Sequence, residues 1–371
     1  MQSYMNSLPT EDRLPLELSR LYEQFGYKKY CMSKFEEYGF YSDNRDFLST
    51  DGIIAFNNSA GRLMALKPDI TLSIVKNART LSHGNAKYYY NENVYRMAEG
   101  SHDCKEIKQC GIELLGDVDA YATAEIIMLA MGSLERIDPD FSLILSHIAF
   151  VSSALEAAKL DPEKRRVILE HIKGKNRHDL KNCCARFGIP QSVQNRLLSI
   201  FDISGSLPDA LGKLKELVCD PQTERAYEEL TGICESLKAL PCFDKLRLDL
   251  SVLNHLDYYN GVILQGYVRN APAPVLSGGR YDSLAAKIRG EGGAFGFAVY
   301  LDGLNLYYPR RRDFDCELLI LHDAEELGLP GEVDRLTRQG ISVRVERKIP
   351  EGLRAKKIMK YENNTLREVA E

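Results

Sequence analysis

Leu253-Asn254-His255-Leu256-Asp257-Tyr258-Tyr259-Asn260-Gly261 and the nearby Ser277-Gly278-Gly279-Arg280-Tyr281-Asp282 are the stretches from which the rest of this chain can be read. The first sets two adjacent tyrosines ahead of Gly261 and the apolar run Val262-Ile263-Leu264. A strand there is expected to send one phenol inward and one outward. In the second, paired glycines allow close backbone approach, and Arg-Tyr-Asp supplies a fork donor, a ring and a carboxylate. Both read as walls of a polar pocket. On their own they read first as a β-hairpin with a Gly-rich turn and a tyrosine satisfied in the core.

Composition sets outer limits. The chain has 371 residues, enough for two domains, and 48 Lys and Arg against 53 Asp and Glu leave a net charge of −5. The basic footprint of a nucleic-acid binder is missing. The nine cysteines include no CxxC pair, so neither a zinc site nor a disulfide framework is expected, and a reducing cytoplasm fits. No apolar run approaches the ~18 residues that cross a bilayer, and the N-terminus lacks a basic, apolar leader.

Working outward along the chain, Leu14, Leu18, Leu21, Tyr22 and Phe25 recur at helical spacing, with Pro15 expected in the first turn and Gly26 closing the run. Residues 53–56 and 63–66 flank Asn57-Asn58-Ser59-Ala60-Gly61 as a hairpin. Its exit, Leu66-Lys67-Pro68-Asp69-Ile70-Thr71, sets a carboxylate and a hydroxyl two residues apart. Such a pair can hold an ammonium group or cap a helix that begins after Pro68. Aromatic-rich residues 87–96 end on Arg96, and 106–116 form a strand with Gln109, Gly111 and Glu113 on one face. A helix opens at Asp119, a strand covers 142–146, and His147 reads as a core or capping histidine. Residues 161–240 are charged and helical without a notable strand signal, an insertion whose Lys and Arg alternate with Asp and Glu. Strands are expected at 246–253 and 262–268. After Pro309-Arg310-Arg311-Arg312, a strand at 318–322, a helix at 325–339, a strand at 340–345 and a helix at 352–361 make a small α/β piece.

In order and spacing these stretches resemble histidyl-tRNA synthetase. The opening pair resembles its histidine-specific segments R-G-L-D-Y-Y-x-G and G-G-R-Y-D, and residues 66–71 resemble L-R-P-E-x-T. Residues 87–116 are similar to class II motif 2, 292–304 to motif 3, and 27–36 more loosely to motif 1. The resemblance implies an α+β fold: a class II antiparallel sheet flanked by helices over residues 1–308, a helical insertion at about 161–240, and a truncated anticodon-binding-like α/β domain at 313–371. It also implies a histidine site built from Asp69, Thr71, Arg96, Gln109, Glu113, Tyr258, Tyr259 and Tyr281. There Arg96 faces the carboxylate, while Gln109 and Glu113 face the α-amino group and the imidazole. A carboxylate that accepts one ring N–H while a phenol meets the other nitrogen is a two-ended test few amino acids pass.

The nucleotide grips depart from that family. Its Arg ahead of L-D-Y-Y is Asn254, and its Gly is His255. The motif 2 loop that should carry arginines for the ATP tail reads Ala98-Glu99-Gly100-Ser101-His102-Asp103-Cys104. The motif 3 Arg is Gly303, and its second Gly is Tyr300, a phenol in the volume of adenine. Arg96 and Arg280 are the cations left to orient a ligand carboxylate. A kept histidine cradle with lost ATP grips resembles the synthetase-like regulatory subunits of short-form ATP phosphoribosyltransferase, the first enzyme of histidine biosynthesis. That resemblance implies no catalytic residue, metal or cofactor in this chain, L-histidine as effector, and the short catalytic subunit as partner. It further implies a homodimer within a hetero-oligomer and no membrane or nucleic-acid role. The competing readings are a divergent histidyl-tRNA synthetase that activates histidine with ATP, and a synthetase-like sensor of tRNA or another partner.

Overall fold

The computed structural model describes every residue except 1–7, 49–51, 79–83, 98–102, 254–257, 303, 309–313, 324–325 and 370–371, together with the side chain of Asn305. In chain order the elements begin α1 (Thr10–Gln24), β1 (Lys28–Lys29), β2 (Phe35–Glu37), α2 (Tyr38–Ser42), β3 (Ala55–Asn57), β4 (Leu63–Leu66) and α3 (Thr71–Asn77). They continue β5 (Ala86–Met97), β6 (Cys104–Gly116), α4 (Ala120–Ile137), β7 (Phe141–His147) and α5 (Ile148–Ala158). The insertion supplies α6 (Pro162–Lys173), α7 (Arg177–Arg186), α8 (Gln191–Ser199), β8 (Ser204–Ser206), α9 (Leu207–Leu214) and α10 (Pro221–Leu237). Then come β9 (Leu246–Asp249), β10 (Val262–Val268), β11 (Leu276–Arg280), α11 (Asp282–Arg289), β12 (Gly293–Tyr300) and α12 (Leu304–Tyr307). Last are β13 (Cys316–Leu321), α13 (Leu329–Arg338), β14 (Val343–Glu346), β15 (Ala355–Glu362) and β16 (Thr365–Glu368). The chain divides into two compact units, residues 11–307 and residues 1–10 with 308–371.

The larger unit is organised on a nine-stranded sheet in the order β1-β5-β6-β12-β11-β10-β7-β9-β8. From β5 to β7 every neighbouring pair is antiparallel. In β6, an interior strand, residues 109–115 are buried without a break, as a strand covered on both faces requires. Helix α4 lies against β7, β10 and β12, and Asp119 caps it by accepting from Ala122 N at 2.7 Å. A second, three-stranded sheet, β2-β4-β3, contains the expected hairpin at residues 53–66.

In the smaller unit four strands run β14-β13-β15-β16, with a core of Leu318, Ile320, Leu329, Leu336 and Tyr361. No described helix of either unit is long and apolar enough to cross a membrane.

Four local expectations are corrected. Pro15 sits inside α1 rather than in its first turn. Because proline has no N–H, the Glu11 carbonyl loses its helical partner, and Lys108 Nζ donates to it instead at 3.0 Å. The helix expected at 352–361 is strand β15, drawn into parallel pairing with β13. Asn363 and Asn364 both take positive φ, 50° and 58°, and so form the two-residue turn that returns the chain as β16. The insertion contains the short strand β8, which pairs with β9 at the sheet edge. The strand expected at 246–253 ends at Asp249, whose carboxylate accepts from Ser251 N and turns the chain.

Candidate functional site

One cavity of about 280 Å³ opens in the larger unit, and Asp69, Thr71, Arg96, Gln109, Glu113, Tyr258, Tyr259 and Tyr281 all line it. Its floor is the sheet at β6, β12 and β11. Glu113 is 2 % exposed and rises from β6 opposite Gly296 of β12. A β-carbon on Gly296 would collide with that carboxylate and with the Ile112 carbonyl, so glycine is what lets Glu113 lie across the neighbouring strand. On β11, a β-carbon at Gly279 would stand 2.6 Å from Tyr259 Cδ1. That missing side chain makes room for the phenol.

Both oxygens of Glu113 accept hydroxyl donors. Thr71 Oγ1 donates to Oε1 at 2.6 Å, and Tyr281 Oη donates to Oε2. Burial nevertheless raises the carboxyl strongly, and with the Asp69 charge nearby it is pushed up to about 8 in spite of those two donors. Around it the rings of Tyr258 and Tyr259 meet edge to face at 4.7 Å, and Tyr258 lies 5.5 Å from Tyr281. Burial also raises the phenols of Tyr90, Tyr258, Tyr259 and Tyr281, so all four are neutral hydrogen-bonding groups.

At another wall, the segment after β4 is held against β5. Tyr95 N donates to Lys67 O at 2.9 Å, and buried Lys67 Nζ pairs with Glu92 at 2.8 Å. Arg96 Nε donates to Pro68 O at 2.9 Å, which fixes the guanidinium beside Asp69 and Thr71. Asp69 Oδ1 accepts from Leu72 N at 2.9 Å. It therefore caps the first turn of α3 and lines the cavity at once, so the two readings of residues 68–71 do not exclude each other. Tyr300, paired in register with Gln109, completes this side. Burial raises its phenol, and the positive charge of Arg96 works against that shift.

Two expectations about these residues change. Tyr258 and Tyr259 do not point to opposite faces, because they precede β10 in an irregular turn and both enter the cavity. Arg280 does not line it: its Nε donates to Asp282 at 2.8 Å and its Nη1 to Val118 O at 3.2 Å, on the far side of β11. Among the described lining residues Arg96 is the one cation. Asn254, His255, residues 98–102 of the motif 2 loop and Gly303 lie outside the described residues.

The lining also includes Asp46, Phe47, Leu48, Tyr90 and Gln265, which the sequence reading did not single out. Gln265 had a signal, as a polar residue inside the apolar run of β10. Residues 46–48 had none, since they reach the cavity only through tertiary packing. Chemically the site pairs a cation and Asp69 with a neutral phenolic cage that ends on a buried carboxyl. No group of three His, Cys, Asp or Glu side chains suited to a metal occurs among the described residues.

The fold and the site define a class II synthetase-type protein with a small polar-aromatic pocket on its central sheet. The family model described as histidyl-tRNA synthetase matches residues 9–304, and the chain belongs to that family. Its curated relatives include the ATP phosphoribosyltransferase regulatory subunit of Oceanobacillus iheyensis, 25 % identical over 292 residues, which are 78 % of this chain and 71 % of that protein. The subunit of the same name from Clostridium kluyveri is 28 % identical over 77 % of this chain and 75 % of its own length. Among solved structures, an ATP phosphoribosyltransferase regulatory subunit/histidyl-tRNA synthetase from Bacillus halodurans superposes with a TM-score of 0.78 at 22 % identity, covering 92 % of this chain and 90 % of that one. A chain of the ATP phosphoribosyl transferase (HisG:HisZ) complex from Thermotoga maritima gives 0.62 at 16 % identity over 78 % and 96 %. These two likenesses concern the fold.

Proposed function

We propose that this chain is a non-catalytic regulatory subunit of ATP phosphoribosyltransferase, required by a short catalytic subunit and carrying the L-histidine site for feedback inhibition. The observation that carries the reading is Glu113: a buried carboxyl gripped by Thr71 and Tyr281 at the end of a tyrosine cage. An imidazole N–H matches the carboxyl, a phenol matches the other ring nitrogen, and Asp69, Gln109 and Arg96 suit the amino and carboxylate groups. Relatives named for this role support the partner assignment. Control follows by linkage: histidine shifts the hetero-oligomer by its differential affinity for two arrangements, ~1 to 3 kcal/mol in typical cases.

The test is reconstitution with a short catalytic subunit. Activation and histidine inhibition are expected with the natural chain, and activation without inhibition with Glu113→Gln. Inhibition unchanged in that variant would refute the pocket assignment. The family model itself favours a second reading, a divergent synthetase. Histidine-dependent pyrophosphate exchange by the purified chain would establish it. Asn254, Gly303 and the Glu99- and Asp103-containing loop argue against it by removing positive charge from where a triphosphate would lie.

A further inference from the structure

The wall that carries Tyr281 is fastened from behind to the helical insertion. Arg280, one residue before the phenol that grips Glu113, lies with its Nη1 3.6 Å from Glu229 Oε1 on α10. Glu229 Oε2 meets His147 Nε2 at 3.0 Å, and His147 Nδ1 accepts from Ala149 N at 3.2 Å where β7 passes into α5. Burial alone would raise the Glu229 carboxyl, but the His147 hydrogen bond and the neighbouring Arg280 charge hold it below its ordinary value.

The same arginine is tied to the tyrosine turn. Asn260 N donates to Arg280 O at 2.9 Å, and Asn260 Oδ1 accepts from Asp282 N at 2.9 Å. Tyr258, Tyr259 and Tyr281 therefore hang on one network whose other end is α10. A gap of about 310 Å³ lined by Val118, Thr123, Glu228, Glu229, Ile233 and Arg280 lies at this junction. Helix and strand are thus joined here by charge across a space, an arrangement that can shift more easily than interlocked side chains.

We infer that Glu229 is a positioning residue: through Arg280 it sets the geometry of Tyr281, and by the same contact it reports occupancy of the cavity to the insertion. The inference rests on the reading of that cavity as an L-histidine site. A ring inserted against Glu113 must re-form the Tyr281 hydrogen bond, and Tyr281, 2 % exposed and packed against Tyr258, has little room to rotate, so a displaced phenol presses on its backbone neighbours Arg280 and Asp282. Because coupling is reciprocal, the factor by which histidine strengthens the Arg280–Glu229 pair is the factor by which the pair strengthens histidine binding.

The test uses the full chain, L-histidine calorimetry, and amide hydrogen exchange with and without L-histidine. In the natural chain, histidine is expected to slow exchange in α10. Glu229→Gln keeps the shape and removes the charge. It should bind histidine ~5- to 20-fold more weakly, in the range of typical coupling, and its α10 exchange should no longer respond to histidine. Glu228→Gln, the same change on the adjacent residue, should behave as the natural chain. Should Glu229→Gln fail to fold, Arg280→Lys carries the same expectation, since it keeps a cation and loses the fork.

A role confined to stability would change exchange in the ligand-free protein and leave the histidine-dependent difference intact. The inference is overturned if the natural chain binds histidine with no change in α10, or if the variant keeps both affinity and response. If the natural chain binds no histidine, the cavity assignment fails first and this link falls with it.

Discussion

Glu113 sets how the folded chain responds to pH. Its carboxyl, ordinarily at 4.5, is pushed up to about 8 in the fold, chiefly by burial. Below pH 4.5 the folded and unfolded forms are both protonated and the group costs nothing. Between 4.5 and 8 the unfolded chain ionises while the folded chain holds its proton, so stability falls as pH rises and levels off above 8. Glu113→Gln has no proton to lose. Thermal unfolding measured from pH 5 to 9 should show the variant gaining on the natural chain by several degrees toward the alkaline end, with little difference at pH 5. Parallel curves would mean that the carboxyl is ionised at no cost. Arg96 makes the complementary case. Arg96→Gln should weaken L-histidine by ~10-fold or more, as loss of a charge-assisted contact does, and leave histidinol, which lacks the carboxylate, nearly unaffected. Equal losses for both ligands would place the guanidinium away from the carboxylate. Glu113 and Arg96 were legible through the resemblance of residues 87–116 to class II motif 2, since strand period alone reads equally as an exposed carboxylate and a surface arginine. The rejection of Arg280 was not, since residue order cannot tell which face of β11 a long side chain leaves.

Strand β12 shows how an element builds the pocket with side chains it lacks. Gly296 stands in register with Glu113 on one side and Gly279 on the other, so two adjacent strands, β12 and β11, give up bulk beside the β6 carboxyl that needs the room. Gly296→Ala would force its methyl into the Glu113 carboxylate and the Ile112 carbonyl, and backbone cannot step aside as a flexible side chain can. A loss of ~1 to 3 kcal/mol is expected, typical of overpacking, together with loss of histidine binding by calorimetry. Adding Glu113→Ala should restore part of the stability and none of the binding. If Gly296→Ala binds histidine like the natural chain, the carboxylate is not pinned where β12 holds it. At this scale the long strands β5 and β6 and helix α4 were legible from period and capping. The turn holding Tyr258 and Tyr259 was not, because adjacent aromatics before an apolar run read as strand until the real start at Val262 is seen. Strand β15 was missed for the opposite reason. Its Lys-rich sequence suits a helix, and only pairing with β13 and the Asn363-Asn364 turn decide otherwise.

Of the two compact units, the larger holds the cavity. Every residue lining the cavity falls between Asp46 and Tyr300, inside the unit of residues 11–307. The network from Arg280 to Glu229 and His147 lies there too. The C-terminal unit closes its own core on Leu318, Ile320, Leu329, Leu336 and Tyr361. Ligand affinity depends on the groups that surround the ligand and on how firmly they are held in place. On that ground a chain of residues 11–307 should bind L-histidine with a dissociation constant within ~3-fold of the full chain, a difference below ~0.7 kcal/mol. The Glu229→Gln substitution should weaken binding in the shortened chain by the same factor as in the full one. Calorimetry on the two chains side by side decides it. A folded shortened chain, with natural far-ultraviolet dichroism and a cooperative melt, that binds no histidine where the full chain does would show that residues outside 11–307 are needed for the pocket's working shape. The site would then belong to both units rather than to the sheet alone.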